Sequence, residues 1–240
     1  MPSNRVSQEF QNQMKKYDIP LEAAFCHSGY LINLASPKDD IWQKSVELLI
    51  VEGKICQSLG IPYLNVHPGS HTGAGEKVGI DRILRAIDRF LASVDDVMLL
   101  LENVSPKGGN IGYEIDQLAQ IIKMSCDPKR IGITYDTCHG FDAGYDITTK
   151  EGVERLLEQI ERALGLWKVK MIHLNDTKAP LGKPLDRHEN IGMGFIGDKG
   201  FINFLSFEQI QKIPWILETP NEEDLYTKEI AHVKSLVRLI

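Results

Sequence analysis

Six short apolar runs in this 240-residue chain each stop on a histidine or a carboxylate, and that repetition constrains the fold more than any other feature. The runs cover residues 21–26, 61–66, 97–101, 130–135, 169–172 and 214–217. They end on His27, His67, Glu102, Asp136, His173 and Glu218. Continuous apolar runs of this length read as strands buried on both faces, the kind found in parallel sheets. Stretches with helical spacing separate them, at residues 41–59, 80–94, 117–124, 153–164 and 201–210. Another precedes them at 7–17, and a last one begins near 225. Strand and helix in alternation predict an α/β fold. Functional groups at the C-terminal ends of successive parallel strands are the layout of a TIM barrel, whereas a doubly wound sheet gathers its site at one switch point. The expectation is therefore a TIM-barrel-like (β/α)8 fold, incomplete, with six of its eight strands, forming one domain over residues 1–240. Residues 7–17 have helical spacing and cannot supply a missing strand. The expected barrel is thus open between the strand before His27 and the strand before Glu218, with unpaired backbone along both edges.

The totals allow a full core, at 42% hydrophobic residues, and the chain fits one domain. Four cysteines, Cys26, Cys56, Cys126 and Cys138, are scattered without a C-x-x-C pair, which predicts reduced thiols rather than a disulfide scaffold. No apolar run approaches the ~18 residues of a membrane span, and the N-terminus lacks signal-peptide character. A cytoplasmic protein without a membrane partner is expected, nuclear or organellar in a eukaryote. The net charge of −6 argues against nucleic acid on its face. Divalent cations held by several of these acids would offset that deficit where a substrate binds.

The densest stretch of candidate chemistry is 173–188, HLNDTKAPLGKPLDRH. Imidazole and carboxylate at a strand exit suit a borderline-soft transition metal. In an extended backbone Asp186 and His188, two apart, would face one ion together. Asp136 and His139, three apart in a turn, suit one ion or two neighbours, with Cys138 between them a buried thiol or a further ligand. His67 sits at its strand end and is the better ligand; His71, after Pro68-Gly69, lies in a turn and suits a supporting role. Glu102 directly after Leu99-Leu100-Leu101 is costly to bury unless paired, and Glu218 after Trp215-Ile216-Leu217 is the same case. Packing so many acids into one mouth requires cations to neutralise them, so a multinuclear site is expected.

The segments HSGYLINL, NVHPGSH, LENVSPKGGNIGYEIDQLA, YDTCHGFDAGYDI, MIHLNDTKAPLGKPLDRHENIGMGFIG and ILETP resemble the endonuclease IV family in the family's own order. That family comprises zinc-dependent apurinic/apyrimidinic (AP) endonucleases of DNA repair on a TIM barrel. The resemblance implies three zinc ions per chain, with Mn2+ able to take some of the sites. His27 and His67 would hold the first, and Glu102 would bridge it to a second held by Asp136, His173 and Glu218. His139, Asp186 and His188 would hold the third. It implies Glu102 as the residue assisting deprotonation of the attacking water, and Tyr30 and Leu31 as the pair that enters DNA at the abasic gap. It implies a monomer acting on double-stranded DNA with abasic sites, cut 5′ to the lesion to leave a 3′-hydroxyl and a 5′-deoxyribose phosphate. The family begins with two further βα units for which this sequence has no counterpart, so an inactive, truncated metal- or DNA-binding paralogue is the alternative. A sugar isomerase or epimerase of the related barrel type is a weaker one, since the third ligand set would then have no purpose.

Overall fold

The computed structural model describes residues 1–222 and 225–240. It begins with helix α1 (Asn4–Lys16), whose first turn is capped by Ser3 accepting from the Val6 N–H and whose last turn carries Lys15 and Lys16 against the negative end of the dipole. There follow β1 (Phe25–His27), α2 (Asp39–Leu59), β2 (Tyr63–Val66), α3 (Glu76–Leu91), β3 (Met98–Glu102) and α4 (Ile115–Met124). The chain continues through β4 (Ile131–Asp136), α5 (Thr137–Asp142), α6 (Lys150–Ala163), β5 (Val169–His173), β6 (Asp176–Thr177) and β7 (His188–Glu189). It ends with α7 (Gly197–Leu205), α8 (Glu208–Gln211), β8 (Trp215–Ile216) and α9 (Tyr226–Val237). Contacts divide the chain into two compact units. The first comprises Met1–Glu102, Gly108–Gly112 and Gln117–Ile133; the second comprises Asn103–Lys107, Tyr113–Asp116 and Thr134–Ile240.

In the first unit β1, β2 and β3 run parallel, Phe25 beside Tyr63, Cys26 beside Leu64 and His27 beside Asn65. The next pairing sets Tyr63 beside Met98 through Val66 beside Leu101. Leu64, Val66 and Leu99 to Leu101 are buried, as strands covered on both faces require. Because β2 ends one residue before His67 and β3 ends on Glu102, the polar groups leave the sheet together at its C-terminal edge. The strand expected over 21–26 is shorter and later. Pro20 starts a 3-10 turn at Leu21–Ala23, and only Phe25–His27 finds partners in β2. α2 starts with Asp39 and Asp40 facing the positive end of its dipole and stops at Gly60, whose φ of 77° is the left-handed geometry glycine supplies.

In the second unit β5 and β8 pair in parallel, Ile172 beside Trp215 and His173 beside Ile216. β6 and β7 form a two-residue antiparallel ladder, Asp176 beside Glu189 and Thr177 beside His188. α6 is capped by Thr149, which accepts the Gly152 N–H at 3.1 Å. Among the described residues six strands, β1 to β5 and β8, answer to the six apolar runs of the sequence. No helix among them is long and apolar enough to cross a membrane.

Candidate metal centre

The first unit brings three of the expected ligands together at the C-terminal ends of β1, β2 and β3. The Glu102 carboxylate is fully buried, and one oxygen lies 3.2 Å from His27 Nε2 and 3.3 Å from His67 Nε2. The two imidazoles meet edge to face with centroids 5.3 Å apart. Asn65, pointing from β2, donates its Nδ2–H to the same Glu102 oxygen at 2.5 Å and fixes it.

The second unit holds the other six. Asp136 ends β4 and caps α5, one oxygen accepting the His139 N–H at 2.8 Å. Its other oxygen accepts from Asn175 Nδ2 at 2.6 Å and lies 3.7 Å from His188 Nε2 and 3.9 Å from His173 Nδ1. His173 Nδ1 is 2.9 Å from the Glu218 carboxylate, and His139 Nε2 is 3.2 Å from the Asp186 carboxylate. Ligand atoms of His139, Asp186 and His188 all lie within 4.8 Å of one another, as do those of His27, His67 and Glu102.

The donor pattern decides what fits between these groups. His27 Nδ1 lies 2.8 Å from the Ser28 carbonyl, His139 Nδ1 is 3.0 Å from the Asn103 carbonyl, and His188 Nδ1 is 2.9 Å from the Glu218 carbonyl. A carbonyl can only accept, so each Nδ1 carries a proton, and each Nε2 faces a carboxylate oxygen. At 3.2 to 3.7 Å, each Nε2 and its carboxylate oxygen are reconciled either by a proton on the ring or by a metal ion between them. Imidazole nitrogen with carboxylate oxygen is the donor set of zinc, and an Nδ1–H bound to a carbonyl is the usual outer support of a ligating histidine. The residues therefore fit divalent transition metal ions.

Two local expectations change form. Asp136-Thr137-Cys138-His139 is not a turn but the start of α5, so carboxylate and imidazole approach through a helix cap. Asp186 is not extended: its φ of 55° is left-handed, so it and His188 converge through a bend rather than by strand alternation. His71 supports its loop, its Nδ1 accepting the N–H of Gly73 at 3.2 Å and Gly75 at 3.1 Å. Cys138 is buried, and burial followed by the charge of Asp136 pushes its thiol well above the ordinary range, as for an inert protonated group. Tyr30 and Leu31, in the loop after β1, are 95% and 72% exposed. Apolar side chains held out this far are available to a partner.

The sequence pattern does not single out the asparagines. Asn103 brackets the Asp136 backbone, donating to its carbonyl at 3.0 Å and accepting its N–H at 2.6 Å. Asn175 orients two candidate ligands, donating to the Asp136 carboxylate and accepting the Glu218 N–H at 2.8 Å. Their one signal is position: each follows a candidate ligand by one or two residues.

Parallel strands that end on histidines and carboxylates are the layout of a TIM barrel, and residues 2–236 match the family described as Xylose isomerase-like TIM barrel. Within that class the relatives are specific. "Probable endonuclease 4" of Thermotoga petrophila is 60% identical over 237 residues, which is 99% of this chain and 83% of that protein. The protein of the same name in Nitrosopumilus maritimus is 41% identical over 215 residues, 90% of this chain and 77% of that one. The crystal structure of endonuclease IV from Thermus thermophilus superposes with a TM-score of 0.85 at 27% identity, over 100% of this chain and 84% of that one. A D-tagatose 3-epimerase-like protein shares the fold, with a TM-score of 0.78 at 20% identity, over 99% of this chain and 84% of that one. The chain belongs to the endonuclease IV family, and it is a nuclease.

Proposed function

We propose that this nuclease is an AP endonuclease of DNA repair, cutting the phosphodiester 5′ to an abasic site and leaving a 3′-hydroxyl and a 5′-deoxyribose phosphate. The observation that carries the reading is the set of His27, His139 and His188, each with Nε2 facing a carboxylate and Nδ1 turned to a backbone carbonyl, the outer support of a ligating histidine. The nine ligand positions fall into three sets: His27, His67 and Glu102; Asp136, His173 and Glu218; His139, Asp186 and His188. We assign a zinc ion to each, with Mn2+ able to substitute at some.

Bound there, the ions supply a water of lowered pKa and positive charge for the phosphoryl oxygens. The protein's own groups do the rest. Glu102, held by Asn65, accepts the proton of the attacking water. Tyr30 and Leu31 enter the space left by the missing base, where intact DNA offers none. Lys107, Lys178, Lys183 and Arg187 supply the local positive charge for phosphates near the site, and the protein acts as a monomer.

A nicking assay on duplexes with and without one abasic site, run beside elemental analysis of the same preparation, tests the proposal. Cleavage confined to the abasic duplex and close to three transition metals per chain are expected. One metal per chain, or none, overturns the zinc assignment. Metal-replete protein that leaves the abasic duplex whole overturns the activity and favours the isomerase-like or inactive alternatives.

A further inference from the structure

Asp142 is a buried acid outside the nine ligands, and neither its helix nor the core explains it. It is the last residue of α5, where a carboxylate faces the negative end of the helix dipole, and it is only 1% exposed. Four donors converge on it. One oxygen accepts the N–H of Leu185 at 3.2 Å, the N–H of Asp186 at 2.7 Å and the hydroxyl of Ser105 at 2.9 Å. The other accepts the Thr177 hydroxyl at 3.3 Å. Two of these bonds hold the backbone at the point where Asp186 adopts its left-handed φ of 55°, a conformation few side-chain-bearing residues take without help. The Asp186 side chain is 40% exposed in a loop otherwise on the surface, and it meets His139 Nε2 at 3.2 Å. α5 thus supplies one candidate ligand, His139, from its first turn. From its last turn it grips the backbone of a second, Asp186.

We propose that Asp142 is a positioning residue for the ion held by His139, Asp186 and His188, setting the carboxylate of Asp186 before the ion arrives. The inference rests on the zinc assignment above. It places the affinity of that site partly in a residue that touches no ion.

The test is zinc retention. Protein loaded with Zn2+ is titrated with a competing chelator, and bound zinc is measured for wild type, Asp142→Ala, Asp142→Asn, Asp186→Ala and the Asp142→Ala/Asp186→Ala pair. Outer-shell changes weaken metal affinity by about 10–100-fold, and Asp142→Ala should show a loss of that size for one ion per chain while the others keep their wild-type affinity. Asn keeps an acceptor for both N–H groups and can donate its own amide to Thr177, but lacks the charge. It should weaken the same ion by only about three- to tenfold. The double variant should retain no less zinc than Asp186→Ala alone, because the two act as one unit. Wild-type retention in Asp142→Ala, equal weakening of every ion, or a further loss in the double variant overturns the proposal. Should Asp142→Ala fail to fold, Asp142→Asn decides it: weakening confined to one ion supports it, and none or a uniform one overturns it. If wild type holds no zinc that Asp186→Ala removes, the zinc assignment is wrong and this proposal falls with it. If it does hold such an ion and Asp142→Ala keeps it, only the role of Asp142 falls.

Discussion

Asp136 carries three duties at once. It ends a strand, caps a helix and turns its remaining oxygen toward two histidines. Glu102 has a narrower task, and that makes it the cleaner residue to change. Glu102→Gln keeps the shape and the contact with Asn65 but removes the charge and the proton acceptor. Cleavage of an abasic duplex should fall by at least about 100-fold, the low end of a general-base contribution, while binding of that duplex partly survives. Normal cutting by the variant would refute the role. Tyr30→Ala and Leu31→Ala should do the reverse, weakening binding to abasic DNA more than to intact duplex, by about 1–3 kcal/mol where the ring stacks; equal weakening of both would refute the gap-filling role. At this scale the sequence is generous with ligands, because a strand end announces its last residue. It is silent on Asn65, Asn103, Asn175 and Asp142, because an amide or acid that orients a neighbour leaves no periodic trace. Nor does it reveal the left-handed turn at Asp186, since aspartate also sits comfortably in extended chain.

Elements are legible in kind and shifted in extent. Apolar spacing predicts α3 at 80–94 where the helix spans Glu76–Leu91, and α6 at 153–164 where it spans Lys150–Ala163. In both, the spacing marks the buried face while the cap and the polar first turn lie upstream of it. α5 leaves no such mark because six residues are too few to show a helical period. Gly53, in the middle of α2, tests what spacing alone cannot convey. A Cβ there would sit 2.5 Å from the Phe90 ring and 2.9 Å from the Val94 side chain, so the two helices meet across a bare backbone. By propensity Gly53→Ala gains about 1 kcal/mol; by overpacking it loses about 1–3 kcal/mol. A net loss in urea unfolding is expected, and a net gain would show that Phe90 yields freely.

For the whole molecule, charge is the property that looks least suited to the substrate. A chain of net charge −6 has no overall attraction to DNA. On the proposed function, phosphate contacts come from the ions and a few bases, of which Arg187 donates to the Asp186 carbonyl at 2.9 Å and Lys178 lies 3.6 Å from Glu189. Affinity should therefore depend only shallowly on salt. A log–log slope of about −10, as steep as that of a repressor gripping many phosphates through basic side chains, would contradict this.

β8 has a consequence of its own. It contributes two residues to the sheet, too few to anchor the chain that follows. Glu218 is one of the residues that fasten that chain just beyond β8, beside Thr219, whose carbonyl accepts from the Tyr226 hydroxyl. The Glu218 N–H goes to Asn175, its carbonyl takes the His188 Nδ1–H, and its carboxylate meets His173. The bonds that shape the site are thus among the bonds that moor the last strand. Filling the site should slow amide hydrogen exchange at residues 215–219 more than in α6, and stripping it with a chelator should release that protection first. Equal protection in both states would mean that β8 holds itself in place, and that the C-terminal segment keeps no record of whether the enzyme is loaded.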